Sequence, residues 1–67
     1  MAVSKAKLQQ LLQSDQDLSH MSLATRIVVG RLRIEVQNSP GALGAKTDEL
    51  YAFAAENEYA ASELTTI

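Results

Sequence analysis

The sequence predicts a mostly α-helical fold, a small bundle of three helices, on three observations. Leucines recur at helical spacing near the N-terminus, at Leu8, Leu11 and Leu12. A second apolar stripe at the same spacing, which includes Leu50, lies near the other end of the chain. The length of 67 residues suits one small domain, so we treat residues 1–67 as a single unit.

The first predicted helix begins after Ser4 and extends to about residue 13. A serine at this position can accept a hydrogen bond from the free N–H groups of the first turn. Val3 and Leu8 occupy the positions of a hydrophobic staple, in which the residue before the cap packs on the first turn. The leucine stripe then gives the helix one apolar face.

The central segment, residues 23–37, fits two periods. Leu32, Ile34 and Val36 alternate with polar residues, as in a half-buried strand. A ladder at i, i+4 spacing runs through the same segment: Ala24, Val28, Leu32 and Val36. A helix satisfies its own backbone hydrogen bonds, whereas a lone strand needs a partner, although Gly30 inside a helix costs about 1 kcal/mol relative to alanine. We expect a helix; the alternative is an α+β fold with a central strand or hairpin.

A turn and a flexible linker are predicted over residues 38–46, because Pro40-Gly41 favours a turn and small residues follow it. Thr47 is the predicted cap of the last helix, which covers about residues 48–59. Asp48 and Glu49 would lie in its first turn, where the helix dipole favours negative charge.

The formal net charge of −2 argues against nucleic acid as the partner, because proteins that bind it usually carry a basic stripe. The one basic cluster contains Arg26, Arg31 and Arg33, and we expect a solvated face, with Glu35 as a pairing residue, or contact with an acidic protein. Three glutamates are also expected to form a solvated face: Glu56, Glu58 and Glu63. No apolar run approaches the roughly 20 residues of a membrane span, and no signal-peptide core is present, so the predicted location is cytoplasmic.

No group of side chains predicts catalysis, a metal site or a cofactor. Asp17, Ser19 and His20 are the residue types of a catalytic triad, but they lie within four consecutive positions, where side chains diverge on any regular backbone. One histidine with scattered carboxylates lacks the ligand spacing of zinc, and Asp15 with Asp17 lacks the turn glycine of a calcium loop. We expect a protein that is not an enzyme.

Association with a protein is the predicted function. A chain of this size buries only roughly 60% of its unfolded surface, and it has no cysteine for a disulfide. We therefore expect a homo-oligomer or an accessory subunit that binds through leucine- and alanine-rich helix faces. The predicted partner-binding residues are Leu8, Leu11, Leu12, Leu50 and Phe53, with Arg31 and Arg33 for orientation. The alternative is a ribbon-type DNA-binding dimer, similar to antitoxins and repressors, that pairs residues 31–36 as strands between subunits.

Residues 4–13 are followed by Asp15-Gln16-Asp17-Leu18, and residues 47–57 are followed by Tyr59 and Glu63-Leu64. These stretches, about half of the chain, resemble the opening helix, the Asp-x-x-Leu turn and the closing helix of the Nif11 family of small helical domains. Glu58 stands where that family usually has a glycine. The resemblance implies a recognition or leader domain that a modifying or transport protein holds, with no catalysis of its own.

Overall fold

The structure is a computed structural model that describes residues 3–67. It contains four α-helices: α1 (Lys5–Leu12), α2 (Leu23–Asn38), α3 (Leu43–Glu56) and α4 (Glu58–Thr65). A short 3-10 helix, Pro40–Ala42, joins α2 to α3. The mostly helical prediction is confirmed, but there are four helices rather than three, and no strand occurs within residues 3–67.

Helix α1 begins where the sequence predicts. The hydroxyl of Ser4 accepts a hydrogen bond from the backbone N–H of Lys7 at 3.4 Å, which confirms the cap. The predicted stripe of three leucines is buried along the helix. Val3, the staple residue, is buried in the same core.

The central segment forms the longest helix, α2, so the alternative of a strand or hairpin is wrong. A helix supplies all of its interior backbone hydrogen bonds, and no other strand is available among residues 3–67 to pair with this segment. The buried side contains Thr25, Val29, Leu32 and Val36, at i, i+4, i+7 and i+11. The predicted ladder is therefore displaced by one residue at its start: Ala24 is exposed and Val28 is half-buried.

Residues 38–46, predicted to be a turn and flexible linker, are mostly helical. Only Ser39 separates α2 from the 3-10 helix, which runs directly into α3. Proline fits the first position of such a helix because its missing N–H would have no partner there. Thr47 is therefore not a cap but an interior residue of α3, and its buried hydroxyl donates to the carbonyl of Leu43 at 2.8 Å.

The last predicted helix, about 48–59, is divided in two. Asn57 lies between α3 and α4 in an extended conformation, and its side-chain amide donates to the carbonyl of Phe53 at 2.9 Å. This bond satisfies a carbonyl in the last turn of α3 and competes with continuation of the helix.

A single core joins the four helices, and α3 contacts each of the other three. The most deeply buried large side chains of this core are Leu8, Leu11, Leu32, Leu50, Leu64 and Val29. Within residues 3–67, no buried polar side-chain atom lacks a hydrogen-bond partner. No helix in this part of the chain combines the length and apolarity needed to cross a membrane.

Leu32→Ala and Ile34→Ala should differ sharply, although both truncate aliphatic side chains of α2. Leu32 is fully buried, so its truncation leaves a cavity and should lower the free energy of unfolding by about 2–5 kcal/mol. Ile34 is 59% exposed, so its truncation should change that energy by less than about 0.5 kcal/mol. Urea denaturation followed by circular dichroism measures both values. Equal effects would contradict the orientation of α2.

Gly30→Ala should raise the free energy of unfolding by about 0.5–1 kcal/mol, because alanine restricts the unfolded chain and favours the helix. A Cβ at this position would meet no atom within 4 Å. The reverse change at an exposed alanine of α3, Ala52→Gly, should lower the same quantity by a similar amount. A destabilised Gly30→Ala variant would show that the space at this position is already filled.

Candidate interaction surface

Helix α2 carries a second apolar stripe on the side that faces away from the core. Leu23, Ile27 and Ile34 are 63%, 60% and 59% exposed. Gly30 completes the line, which follows the spacing i, i+4, i+7 and i+11. We call these four residues the outer face of α2. The buried stripe has the same spacing but starts two residues later, at Thr25. Because of that offset, the two stripes lie on opposite sides of one helix.

The outer face has the pattern of a helix-pairing seam. Its steps of four, three and four residues match the alternation by which two helices interlock side chains along their contact. The face covers eleven residue steps, or about 16 Å of helix, which is three turns. A surface of this shape is suited to another helix laid along it.

Gly30 lies in the middle of the outer face, and no intramolecular contact accounts for it. Its φ angle is not positive, and a Cβ added at this position would meet no atom within 4 Å. A glycine inside a helix costs about 1 kcal/mol relative to alanine, so its presence here stabilises nothing within the fold. Its effect is to leave the backbone of α2 uncovered between Ile27 and Ile34.

The N-terminus of α2 is held by Glu63 of α4. The Glu63 carboxylate accepts hydrogen bonds from the Thr25 hydroxyl at 2.6 Å, from the Ser22 hydroxyl at 3.0 Å and from the Ser22 backbone N–H. The Thr25 bond, followed by those of Ser22, lowers the pKa of Glu63 below its ordinary value. Glu63 was expected to be a solvated residue; it is instead half-buried and acts as a capping group across 38–41 positions of sequence.

Arg33 ties the C-terminal half of α2 to α1 and to the loop that follows α1. Its Nε donates to the carbonyl of Leu11 at 3.0 Å and its Nη2 to that of Gln16 at 3.2 Å. The Leu11 carbonyl lies in the last turn of α1, at the negative end of the helix dipole, where a positive charge is favourable. Arg33, predicted to orient a partner, thus has a role inside the fold.

Arg31, the other arginine predicted to orient a partner, belongs to a network of alternating charges between α2 and α3. It contacts Glu35 at 2.8 Å and Glu49 at 3.1 Å, and Lys46 contacts Glu35 at 2.7 Å. The hydrogen bond from Lys46 is the main cause that lowers the pKa of Glu35. The expected pairing of Glu35 with the arginine cluster is confirmed, and the network braces α2 on α3.

The leucines predicted to contact a partner lie inside the protein. Leu8, Leu11, Leu12 and Leu50 are at most 2% exposed, because the four helices need them for their own core. Phe53 is half-buried, and its ring meets that of Tyr59 edge to face at 6.3 Å. None of the five forms part of the outer face. The large apolar side chains that remain exposed are Leu23, Ile27 and Ile34 on α2 and Tyr59 on α4, and none of them is among the predicted contact residues.

Among residues 3–67, the remaining polar groups form no recognisable chemical site. Ser19 donates its hydroxyl to Asp17 at 2.7 Å, which lowers the pKa of Asp17, and His20 is exposed in the same loop. No cluster of histidine and carboxylate side chains that could hold a metal ion occurs within residues 3–67.

A surface cavity of about 250 Å³ beside α1 has one charged group in its wall, Lys7, whose Nζ donates to the carbonyl of Ile67 at 3.5 Å. The cavity therefore offers no pair of groups for acid–base chemistry.

Comparison of the whole chain with protein-family models, curated proteins and solved structures gave no match. The resemblance to the Nif11 family stays a prediction.

Glu63→Gln tests the cap of α2, because it keeps the size of the side chain but removes its charge. We expect a loss of about 1 kcal/mol of unfolding free energy at pH 7, since charged hydrogen bonds are replaced by neutral ones. Glu56→Gln makes the same change at an exposed glutamate of α3 and should leave this energy unchanged.

The hydrogen bonds of Glu63 should also make the free energy of unfolding depend on pH. The folded pKa of Glu63 is lowered, so its stabilisation is fully present above the unfolded value and is lost as the pH falls through the folded value. As the pH falls below the ordinary pKa of a glutamate, the wild-type free energy of unfolding should therefore decrease, and Glu63→Gln should make this part of the profile flatter. Identical acid profiles would contradict the role of Glu63.

Proposed function

We propose that this chain is a non-catalytic interaction module that binds another polypeptide through the outer face of α2. The observation that carries the proposal is the line of three aliphatic side chains that remain about 60% exposed opposite the core. An aligned apolar patch on a small protein is typical of an interaction site, whereas exposed aliphatic residues scattered singly are not. Covering these side chains would contribute roughly 1 kcal/mol each to binding.

The stability of α2 in the fold also supports the proposal. Glu63 holds the start of the helix, Arg33 ties it to α1, and the network around Arg31 braces it on α3. The outer face is thus displayed on a helix whose conformation is already set. A preformed surface loses less conformational entropy on binding than a segment that must fold first.

The proposal includes two kinds of partner, a second copy of this chain or a different protein, in the cytoplasm. The recognition role implied by the Nif11 resemblance is of the same class, since it is binding without catalysis. The ribbon-type DNA-binding dimer is not supported, because residues 31–36 lie within α2 rather than in a strand.

Site-specific photo-crosslinking tests the proposed surface. With p-benzoylphenylalanine in place of Ile27, we expect a crosslinked product in the cells that naturally make the protein. With the same group in place of Ala52, which is exposed on α3, we expect no such product. Mass spectrometry of the crosslinked peptide identifies the partner, which is then purified.

The purified partner should bind the wild-type chain and should bind the Ile27→Ser/Ile34→Ser variant about tenfold less tightly or worse. Tyr59→Ser, at an exposed aromatic residue of α4, is the matched control and should bind as wild type does. Equal crosslinking from positions 27 and 52, or equal binding by the Ile27→Ser/Ile34→Ser variant, would contradict the proposal.

A further inference from the structure

We infer that the outer face of α2 receives an acidic amphipathic helix of a different protein, about three turns long, that crosses α2 at Gly30. The inference rests on the proposed function and goes further by naming the chemistry of the partner. Three features carry it: the charge beside the face, the spacing of its aliphatic side chains and the glycine at its centre.

The charged side chains of α2 that border the outer face are all arginines. Arg26 and Arg33 lie along one edge and Arg31 along the other. Glu35 and Glu49 neutralise Arg31. Neither Arg26 nor Arg33 forms an ion pair with any residue in the range 3–67, and the hydrogen bonds of Arg33 end on neutral carbonyls.

The edge formed by Arg26 and Arg33 is therefore positive in a chain whose net charge is −2. Carboxylates placed opposite that edge would form charge-assisted hydrogen bonds next to an apolar contact. A partner with acidic residues beside its apolar stripe is complementary to this surface in both respects.

A second copy of the chain fits this surface less well. In a parallel pair, Arg26 of one copy would lie beside Arg31 of the other, as the flanking positions of a helix pair do. In an antiparallel pair centred on Gly30, Arg26 would lie beside Arg33 of the other copy. The antiparallel arrangement brings like charges together, and the parallel one places Arg26 beside an arginine whose charge Glu35 and Glu49 already neutralise, so neither gives Arg26 a counter-charge.

The spacing and the glycine indicate that the partner is a helix. Steps of four, three and four residues present Leu23, Ile27 and Ile34 to one straight neighbour. A strand or an extended peptide has a period of two and would meet only part of this line. The uncovered backbone at Gly30 lets a neighbouring helix approach α2 more closely than any side chain would allow.

A displayed library of helical peptides tests the inference. Its members carry Leu or Ile at heptad positions a and d, and the flanking positions are randomised among Glu, Lys and Gln. Selection uses the wild-type chain as bait and removes peptides that also bind the Ile27→Ser/Ile34→Ser variant. We expect glutamate to be enriched at the flanking positions.

Two further variants then measure the binding of an enriched peptide. Arg26→Glu should weaken binding about tenfold, whereas Lys7→Glu, the same change of charge on α1, should leave it unchanged. Gly30→Leu adds apolar surface to the outer face but should still weaken binding roughly tenfold, because its side chain holds the two helices apart. Circular dichroism checks that each variant is folded.

The outcomes separate this inference from the proposed function. If lysine is enriched at the flanking positions, or if they show no preference in charge, the inference of an acidic partner is overturned. The outer face would still be a binding site in that case. The inference is also overturned if sedimentation shows a wild-type dimer that Ile34→Lys dissociates and the library yields no enriched peptide. That result would assign the outer face to a second copy of the chain. Arginine-dependent binding of a labelled oligonucleotide in place of any peptide overturns it as well. If the Gly30→Leu variant binds an enriched peptide as tightly as the wild-type chain does, close packing of the two helices is contradicted.

Discussion

Helix α3 is the scaffold of this small protein, because α1, α2 and α4 all pack against it. The chain has no cysteine, so a shared apolar core must hold the four helices together. That requirement uses the large apolar side chains of α1 and α3: Leu8, Leu11, Leu12 and Leu50 are buried, and Leu43, Tyr51 and Phe53 are partly buried against them. Helix α2, with 16 residues, is the longest of the four and carries one stripe for the core and a second that the core does not use.

Local signals in the sequence predict α1 well, since its cap and its leucine stripe act within one stretch of chain. Local signals mislead at Thr47, because a threonine hydroxyl can cap a helix or donate to the carbonyl four residues earlier, as it does here. For α2, Leu32 and Val36 satisfy both a helical and a strand period, so the choice rests on what the backbone can pair with. The role of Glu63 cannot be predicted from local sequence, since its partners are 38 and 41 residues away.

The exposure of the outer face of α2 is hard to predict for a related reason. Leu23, Ile27 and Ile34 form a regular stripe that can be read from the sequence, but so do Thr25, Val29, Leu32 and Val36. Which stripe enters the core is decided by packing against α3, a tertiary property. Gly30 adds a local conflict, since a residue that weakens the isolated helix is the kind of inconsistency expected where a sequence serves binding as well as folding.

The hydrogen bonds of Glu63 also set an order of events during synthesis. Ser22 leaves the ribosome 41 residues before the carboxylate that holds it, a delay of about 2–8 s at translation rates of roughly 5–20 residues per second. Until α3 has emerged, the core-facing stripe of the nascent α2 lacks the helix that covers it, and both apolar stripes of α2 are exposed to water. During that time the polypeptide is open to aggregation and to chaperones.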